Sequence, residues 1–413
     1  MEIQVKGKQA LKGKIKVSSS KNAILPILAA TLLADEEITI NNVPNIRDVS
    51  VIIELLKSIG MKVERNEDSL NFCGGSSNEQ PPYELVRQIR ASFLVMGPLL
   101  ATKGIVRLAL PGGCAIGSRP IDLHLKGLEA LGAKITLSRG DVVAKTNRLV
   151  GTHIYLDYPS VGATENIIMA AALAEGQTFI ENAALEPEIA DLANFINSIG
   201  GKIEGAGTNV IKVQGVKKLT GTTYNPVPDR IEAGTYMVAS AASAGDVTIS
   251  NVVPEHLKAI SAKLIETGAI IEEDSNQIRV SRKNEIKPVY IKTLPYPGFP
   301  TDMQAQFMAY LSCARGSSVI TESVFENRFM HVQELLRMGA NIKTEGRTAV
   351  IKGGKELTGA KVRATDLRAG AALLIAALMA RGTTLIGNSS HIDRGYENIV
   401  EKMNALGANI IRI

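Results

Sequence analysis

Six stretches of the chain are long enough for a helix and apolar on nearly every face: ILPILAATLLA, FLVMGPLLATKG, IIMAAALAEG, TYMVASAASAG, QFMAYLSCARG and ALLIAALMARG. A helix without a polar face is a buried helix. Each run leads into a short strand pattern, an irregular loop and a second helical stretch. In that second stretch, as in IRDVSVIIELLKSIG, apolar residues recur at helical spacing on one side only, which predicts a layer facing solvent. All six of these outer helices end in glycine, at Gly60, Gly132, Gly200, Gly268, Gly339 and Gly407, spaced 68–72 residues apart. Glycine fits the position just past a helix, where a left-handed backbone penalises a Cβ. The repeating unit therefore reads helix, strand, loop, helix, strand, strand. Six copies predict an α/β protein with buried helices surrounded by strands and outer helices, three copies to a domain.

The two ends of the chain complete this pattern. After Gly339 the sequence continues through AVIKGGKELTGAKVRA, but after Gly407 it stops at NIIRI. The missing piece is found at the start, where MEIQVKGKQALKGKIKV matches that segment in its glycines and apolar positions. One domain is thus expected to comprise residues 1–20 plus 227–413, and the other residues 21–226. The chain would cross between them near Ser20 and again near residues 226–228. Two crossings suit a hinge, and clefts between domains are favoured ligand sites.

Composition narrows the function classes. The 413 residues, 45% of them hydrophobic, supply enough material for two cores. With 4% aromatics and no Trp, those cores must be built from aliphatic residues and alanine. The net charge of +5 fits an anionic ligand but also an ordinary surface, and no basic run interleaved with aromatics supports nucleic-acid binding. The longest apolar stretch, residues 369–380, is too short for a bilayer span of about 20 residues, and the start lacks a signal-peptide core. Cys73, Cys114 and Cys313 are odd in number and lack metal or redox spacing. A cytoplasmic protein away from the membrane is expected. His124, His153, His256, His331 and His391 show no metal-ligand spacing, so neither a metal nor another cofactor is expected.

Several segments carry candidate chemistry. Ser18-Ser19-Ser20-Lys21-Asn22 opens a buried helix, giving either an anion site from backbone N–H groups and an ammonium, or capping serines before a surface lysine. In Pro111-Gly-Gly-Cys114-Ala-Ile-Gly117-Ser-Arg119, two glycines predict a loop free to move, with its thiol near Arg119. The glycine spacing resembles a phosphate loop, but Ser118-Arg119 follows where a nucleotide triphosphatase needs Lys and Ser or Thr. Arg90 and the Ser160-Val161-Gly162 segment each open a buried helix, as anion ligands or as ordinary helix starts. Asp302 follows the Pro-rich loop PYPGFPT as either an N-cap or a general base. Arg328, Arg368 and Arg394 each have acidic or amide neighbours in sequence, as structural ion pairs or as converging ligands for phosphate and carboxylate.

Along its whole length the chain resembles the MurA-type enolpyruvyl transferases of the EPSP synthase-like superfamily, the UDP-N-acetylglucosamine 1-carboxyvinyltransferases. The segments that carry the resemblance include SKNAILPILAATLLA, LPGGCAIGSRPIDLHLKG, SVGATENIIMAAALAEG, PDRIEAGTYMVA, YPGFPTDMQAQFMA, FENRFMHVQEL, ATDLRAGAALLIAAL and HIDRGYENI. The resemblance implies a two-domain inside-out α/β barrel. It also implies transfer of enolpyruvyl from phosphoenolpyruvate to UDP-N-acetylglucosamine, the first committed step of peptidoglycan synthesis. Lys21 and Asn22 match phosphoenolpyruvate contacts, with Arg119 and Arg394 gripping its phosphate and carboxylate. Cys114 matches a proton donor that can also bond covalently to fosfomycin, and Asp302 a base near the sugar hydroxyl. Arg90, Arg119, Pro120, Ile121, Asp122, Leu123, His124, Ser160, Val161, Gly162 and Val324 match the nucleotide-sugar site. Glu188 and the segment from Asp229 to Glu232 resemble further cleft residues. Many relatives have Gly-Ala in place of Ser19-Ser20 and some have Ala in place of Ser118, and neither departure touches an implied acid, base or phosphate ligand.

Overall fold

A computed structural model describes residues 1–75, 78–110, 120–138 and 140–413. It divides into two compact units. One comprises Met1–Ser18 with Pro228–Ile413, the other the described residues between 19 and 227. In the second unit the buried helices are Lys21–Ala30, Met96–Lys103 and Val161–Ala171. In the first they are Arg230–Ala242, Gln304–Leu311 and Leu367–Met379, which pack against one another. Leu367–Met379 and Gln304–Leu311 are buried at every residue. Such helices have no solvated face, and small sheets and outer helices cover them, as Arg47–Ser58 and Pro187–Ser198 do for Lys21–Ala30.

The six repeat glycines all adopt a left-handed backbone, with φ between 90° and 102°. Each closes its outer helix with the same pair of bonds. The glycine N–H reaches back three residues, as from Gly60 to Lys57, and the next N–H reaches back five, as from Met61 to Leu56. The carbonyl just before each glycine then accepts an N–H from returning chain. The donors are Asn78, Val150, Thr220, Lys287 and Thr358 in five repeats, and in the sixth the donor is Lys12.

The sheets are separate four-stranded units, apart from one with three strands among the described residues. Strand Gln177–Glu181 shows the pattern, running parallel to His153–Tyr155 and antiparallel to Val210–Gln214, which pairs with Lys202–Glu204. At the chain ends, Glu2–Lys6 fills the corresponding inner place between Thr383–Gly387 and Asn409–Arg412. The parallel strand usually precedes the same buried helix that its partner follows, a βαβ unit. At the two crossings these partners are exchanged. Lys12–Lys16 precedes the Lys21 helix yet pairs with Asp246–Ser250 of its own unit. Thr222–Tyr224 precedes the Arg230 helix yet pairs with Ile38–Ile40. This exchange sorts six similar repeats into two groups of three.

Buried acids secure both passages. On one side, Asp191 accepts Tyr224 Oη–H at 2.7 Å and the Val227 N–H at 3.0 Å. On the other, Glu232 accepts the Ser18 N–H at 2.8 Å and Lys402 Nζ at 2.7 Å. Burial pushes the Asp191 carboxyl up to about 6, against the bonds from Tyr224 and Val227, while Glu188 adds to the rise. The folded chain therefore retains a proton that the unfolded chain, with an aspartate near 3.9, releases at about pH 4. Stability linked to Asp191 is present at low pH and falls as pH rises from about 4 to 6. Asp191→Asn is expected to flatten that decline. Unfolding midpoints measured across this range would show it, and parallel wild-type and variant curves would assign the slope elsewhere.

Candidate active site

The ends of the buried helices hold most of the candidate residues, because a buried helix leaves its first N–H groups without intrahelical partners. In the unit built from residues 19–227, Lys21 begins its helix and its Nζ lies 2.9 Å from Asp48 Oδ2. The Lys21 side chain is 13% exposed and that of Asp48 3%, so this is a largely desolvated ion pair. Asp48 comes from the first turn of Arg47–Ser58, where a carboxylate also favours the helix start. Nothing in the sequence pattern linked these two residues. Asn22 is half-buried in the same turn as Lys21.

Arg90 opens the 3-10 helix Arg90–Val95 and acts electrostatically on His124 in Asp122–Ala130. Burial, with Arg90 adding to it, lowers the His124 imidazole to about 3, so the ring is neutral at physiological pH. Pro120 and Asp122 are exposed, while Ile121 and Leu123 are half-buried against the core. Ser160 caps the Val161–Ala171 helix by accepting the Ala163 N–H at 3.4 Å. Gly162 lies against the His124 ring, so a Cβ there would sit 3.0 Å from Cε1. His124, Arg90 and the Ser160-Val161-Gly162 segment thus form one group. Cys114 and Arg119 lie outside the described residues.

In the other unit the geometry is centred on Asp302, in the short 3-10 turn Thr301–Met303. Arg328 Nη2 donates to one of its carboxylate oxygens at 2.8 Å, and Arg368 Nη2 to the other at 2.9 Å. Both guanidinium groups are almost fully buried. Asp302 does not cap its helix, and the sequence-adjacent ion pairs do not form. Asp366 caps Leu367–Met379 by accepting the Arg368 and Ala369 N–H groups. Glu326 turns to Arg347, and Asp393 to Arg412. Arg394 is half-buried at the end of Ser389–Arg394. The two guanidinium groups, one on each oxygen, fix the orientation of the Asp302 carboxylate.

Glu322 was not apparent from the sequence. It is 1% exposed, and its Oε1 accepts the Thr293 hydroxyl and the Val324 N–H at 2.8 Å and the Phe325 N–H at 3.2 Å. Its Oε2 accepts the Thr301 hydroxyl at 2.8 Å. One buried carboxylate therefore ties the Asp302 turn to the Val324 turn. The available signal was an acid directly after the apolar strand Ser317–Thr321, where burial requires partners. Glu322→Ala strips the acceptor from four donors and is expected to cost roughly 3 kcal/mol, against about 1 kcal/mol for Glu322→Gln. Urea unfolding of the two variants distinguishes them, and equal losses would mean that the turns do not depend on this acceptor.

Comparison with known proteins extends these observations. A family model described as EPSP synthase (3-phosphoshikimate 1-carboxyvinyltransferase) matches residues 5–403. The chain is 58% identical to UDP-N-acetylglucosamine 1-carboxyvinyltransferase 2 of Carboxydothermus hydrogenoformans, over 99% of this chain and 98% of the relative. It is 56% identical to UDP-N-acetylglucosamine 1-carboxyvinyltransferase 1 of Caldanaerobacter subterraneus subsp. tengcongensis, over 97% of each. Among solved structures, the enolpyruvyl transferase NikO from Streptomyces tendae matches with a TM-score of 0.89 at 24% identity, covering 99% of this chain and 98% of that one. EPSP synthase from Acinetobacter baumannii matches with a TM-score of 0.76 at 18% identity, covering all of both chains. These two structures share the fold. Repeat architecture and full-length similarity agree, and the chain belongs to the UDP-N-acetylglucosamine 1-carboxyvinyltransferases, within the EPSP synthase family.

Proposed function

We propose that this protein transfers the enolpyruvyl group of phosphoenolpyruvate to the 3′-hydroxyl of UDP-N-acetylglucosamine with release of phosphate, the first committed step of peptidoglycan synthesis. The observation that carries this conclusion is the 58% identity, spanning 99% of the chain, to a relative of that name. The site residues support it chemically. Adding an alcohol across an enol double bond requires a base for the hydroxyl and an acid for the methylene carbon. Asp302 is the base in this scheme, and Arg328 and Arg368 hold its carboxylate in place. Cys114 is the acid, by position in the sequence.

The methylene carbon takes a proton from the thiol while the sugar oxygen gives up its own to Asp302 and bonds to the adjacent carbon. The methyl group of this adduct then returns a proton to the thiolate, the bond to the phosphate oxygen breaks with its electron pair leaving on phosphate, and the double bond reforms. Lys21, Asn22, Arg119 and Arg394 are assigned to the phosphate and carboxylate of phosphoenolpyruvate. There their cations and donors would stabilise developing charge. Arg90, Arg119, Pro120, Ile121, Asp122, Leu123, His124, Ser160, Val161, Gly162 and Val324 are assigned to the nucleotide sugar. Among the described residues no helix is long and apolar enough to cross a membrane. A cytoplasmic setting is supported by Cys73 and Cys313, both free thiols.

The match to a family model described by its shikimate substrate makes acceptor choice the decisive experiment. Phosphate release from phosphoenolpyruvate is expected with UDP-N-acetylglucosamine and not with shikimate 3-phosphate. The reverse pattern would assign the chain to the other branch, and binding without release would make it a catalytically idle relative. Asp302→Asn is expected to reduce turnover by about 10²–10⁴-fold, the usual scale for losing a general base. Cys114→Ser is expected to abolish covalent labelling by fosfomycin, since a hydroxyl is a poor nucleophile at neutral pH. A mass-spectrometric adduct on Cys73 or Cys313 instead would remove Cys114 from the scheme.

A further inference from the structure

His124 has a hydrogen-bond partner, Asn166, whose orientation is fixed independently of the histidine. Asn166, in the middle of Val161–Ala171, is fully buried. Its Oδ1 accepts the Gly97 N–H at 2.8 Å, and its Nδ2 donates to the Phe93 carbonyl at 3.1 Å. Flipping the amide would set donor against donor at Gly97 and acceptor against acceptor at Phe93, so both contacts select the same orientation. The approach is close enough that a Cβ on residue 97 would lie 2.4 Å from the Asn166 carbonyl oxygen. The second Nδ2 hydrogen remains for His124 Nδ1, 2.8 Å away. Facing an N–H, Nδ1 must be the acceptor, which puts the proton of a neutral ring on Nε2.

We infer that Asn166 is a positioning residue that locks His124 as a neutral imidazole protonated on Nε2, so that the ring presents a permanent hydrogen-bond donor to an acceptor oxygen of the nucleotide sugar. The ligand half of this inference rests on the function proposed above, whereas the tautomer follows from the hydrogen bonds alone. Nε2 lies on the Gly162 side of the ring, where a Cβ on residue 162 would come within 3.2 Å of it. Any larger residue at 162 would therefore crowd the donor. Phe93 packs edge-on against the ring, with centroids 5.3 Å apart, and stops it from turning.

The surrounding charges favour the same state. Arg90 is the charged group acting on the ring and disfavours a cation. Burial, with Glu188 and Glu186 adding to it, raises the carboxyl of Glu165, on the helix that carries Asn166, well above its ordinary value. Lys134 and His153, on the strands packed against the His124 helix, are exposed. A cationic histidine would bind anionic oxygens more strongly but only below its pKa. A locked neutral donor gives up that attraction in return for a contact that does not vary with pH.

Nitrogen NMR of the full chain labelled on its five histidines provides the test, with the His124 signals assigned by their loss in His124→Gln. The expected pattern is a neutral ring protonated on Nε2, unchanged from about pH 8 to about pH 5, across the range where an ordinary imidazole titrates. A proton on Nδ1, or titration near 6.5, would overturn the lock. Asn166→Asp replaces the donor facing Nδ1 with an acceptor. It is expected to move a proton onto Nδ1 and to weaken UDP-N-acetylglucosamine binding by about tenfold, with a new pH dependence. An unaltered ring pattern and affinity in that variant would sink the positioning role. If the variant does not fold, the wild-type spectrum still decides the tautomer. Saturating UDP-N-acetylglucosamine, with binding verified by calorimetry, is expected to shift the Nε2 signal, and an unmoved signal would remove the ring from the ligand contact. No calorimetric binding at all would instead count against the proposed function.

Discussion

A helix buried on every side satisfies its own backbone except at its ends, and that constraint organises this protein. The sides of the six central helices can be filled with Ala, Leu, Ile and Met, but their first turns expose N–H groups that need acceptors. Asp229, Asp366 and Ser160 meet that need directly with side-chain oxygens. Lys21 and Arg90 begin helices of the same kind, and the Asp302 turn leads into another. Polar chemistry in an otherwise aliphatic interior therefore gathers where the helices start. Buried charges drawn to those places must be compensated, which accounts for the pairing of Lys21 with Asp48 and of Asp302 with two arginines.

How much of this could be read beforehand depended on whether the signal was local. The outer-helix glycines are local, since a left-handed residue at a helix end is a property of a few consecutive positions. Asp302, Arg328 and Arg368 stood out as charged residues at the borders of apolar runs, but their mutual contact did not. Adjacent pairs such as Asp366 and Arg368 suggested short-range ion pairs, whereas the Arg368 guanidinium reaches Asp302, 66 residues away. The exchanged strands at the crossings are three to five residues long and have no pattern that names a partner.

Other buried polar residues did leave a trace that periodicity does not weigh. Asn166 is an amide at the edge of an apolar run, in a helix buried from Ala163 onward, and Glu322 is an acid at the end of a buried strand. A polar group in such a place is expensive unless its bonds are made, so its presence announces a partner without identifying it. For Asn166 the partners come from segments about 40 and 70 residues away, and only the fold brings them together.

The exchange of strands also sets an order of events on the ribosome. Residues 19–227 contain every strand that their own sheets use, so that body can condense as soon as its last strand emerges. The other body cannot. Glu2–Lys6 is made before residues 19–227, yet both of its neighbours, Thr383–Gly387 and Asn409–Arg412, are made after them. That strand thus waits, unpaired, while the whole of the intervening unit is made.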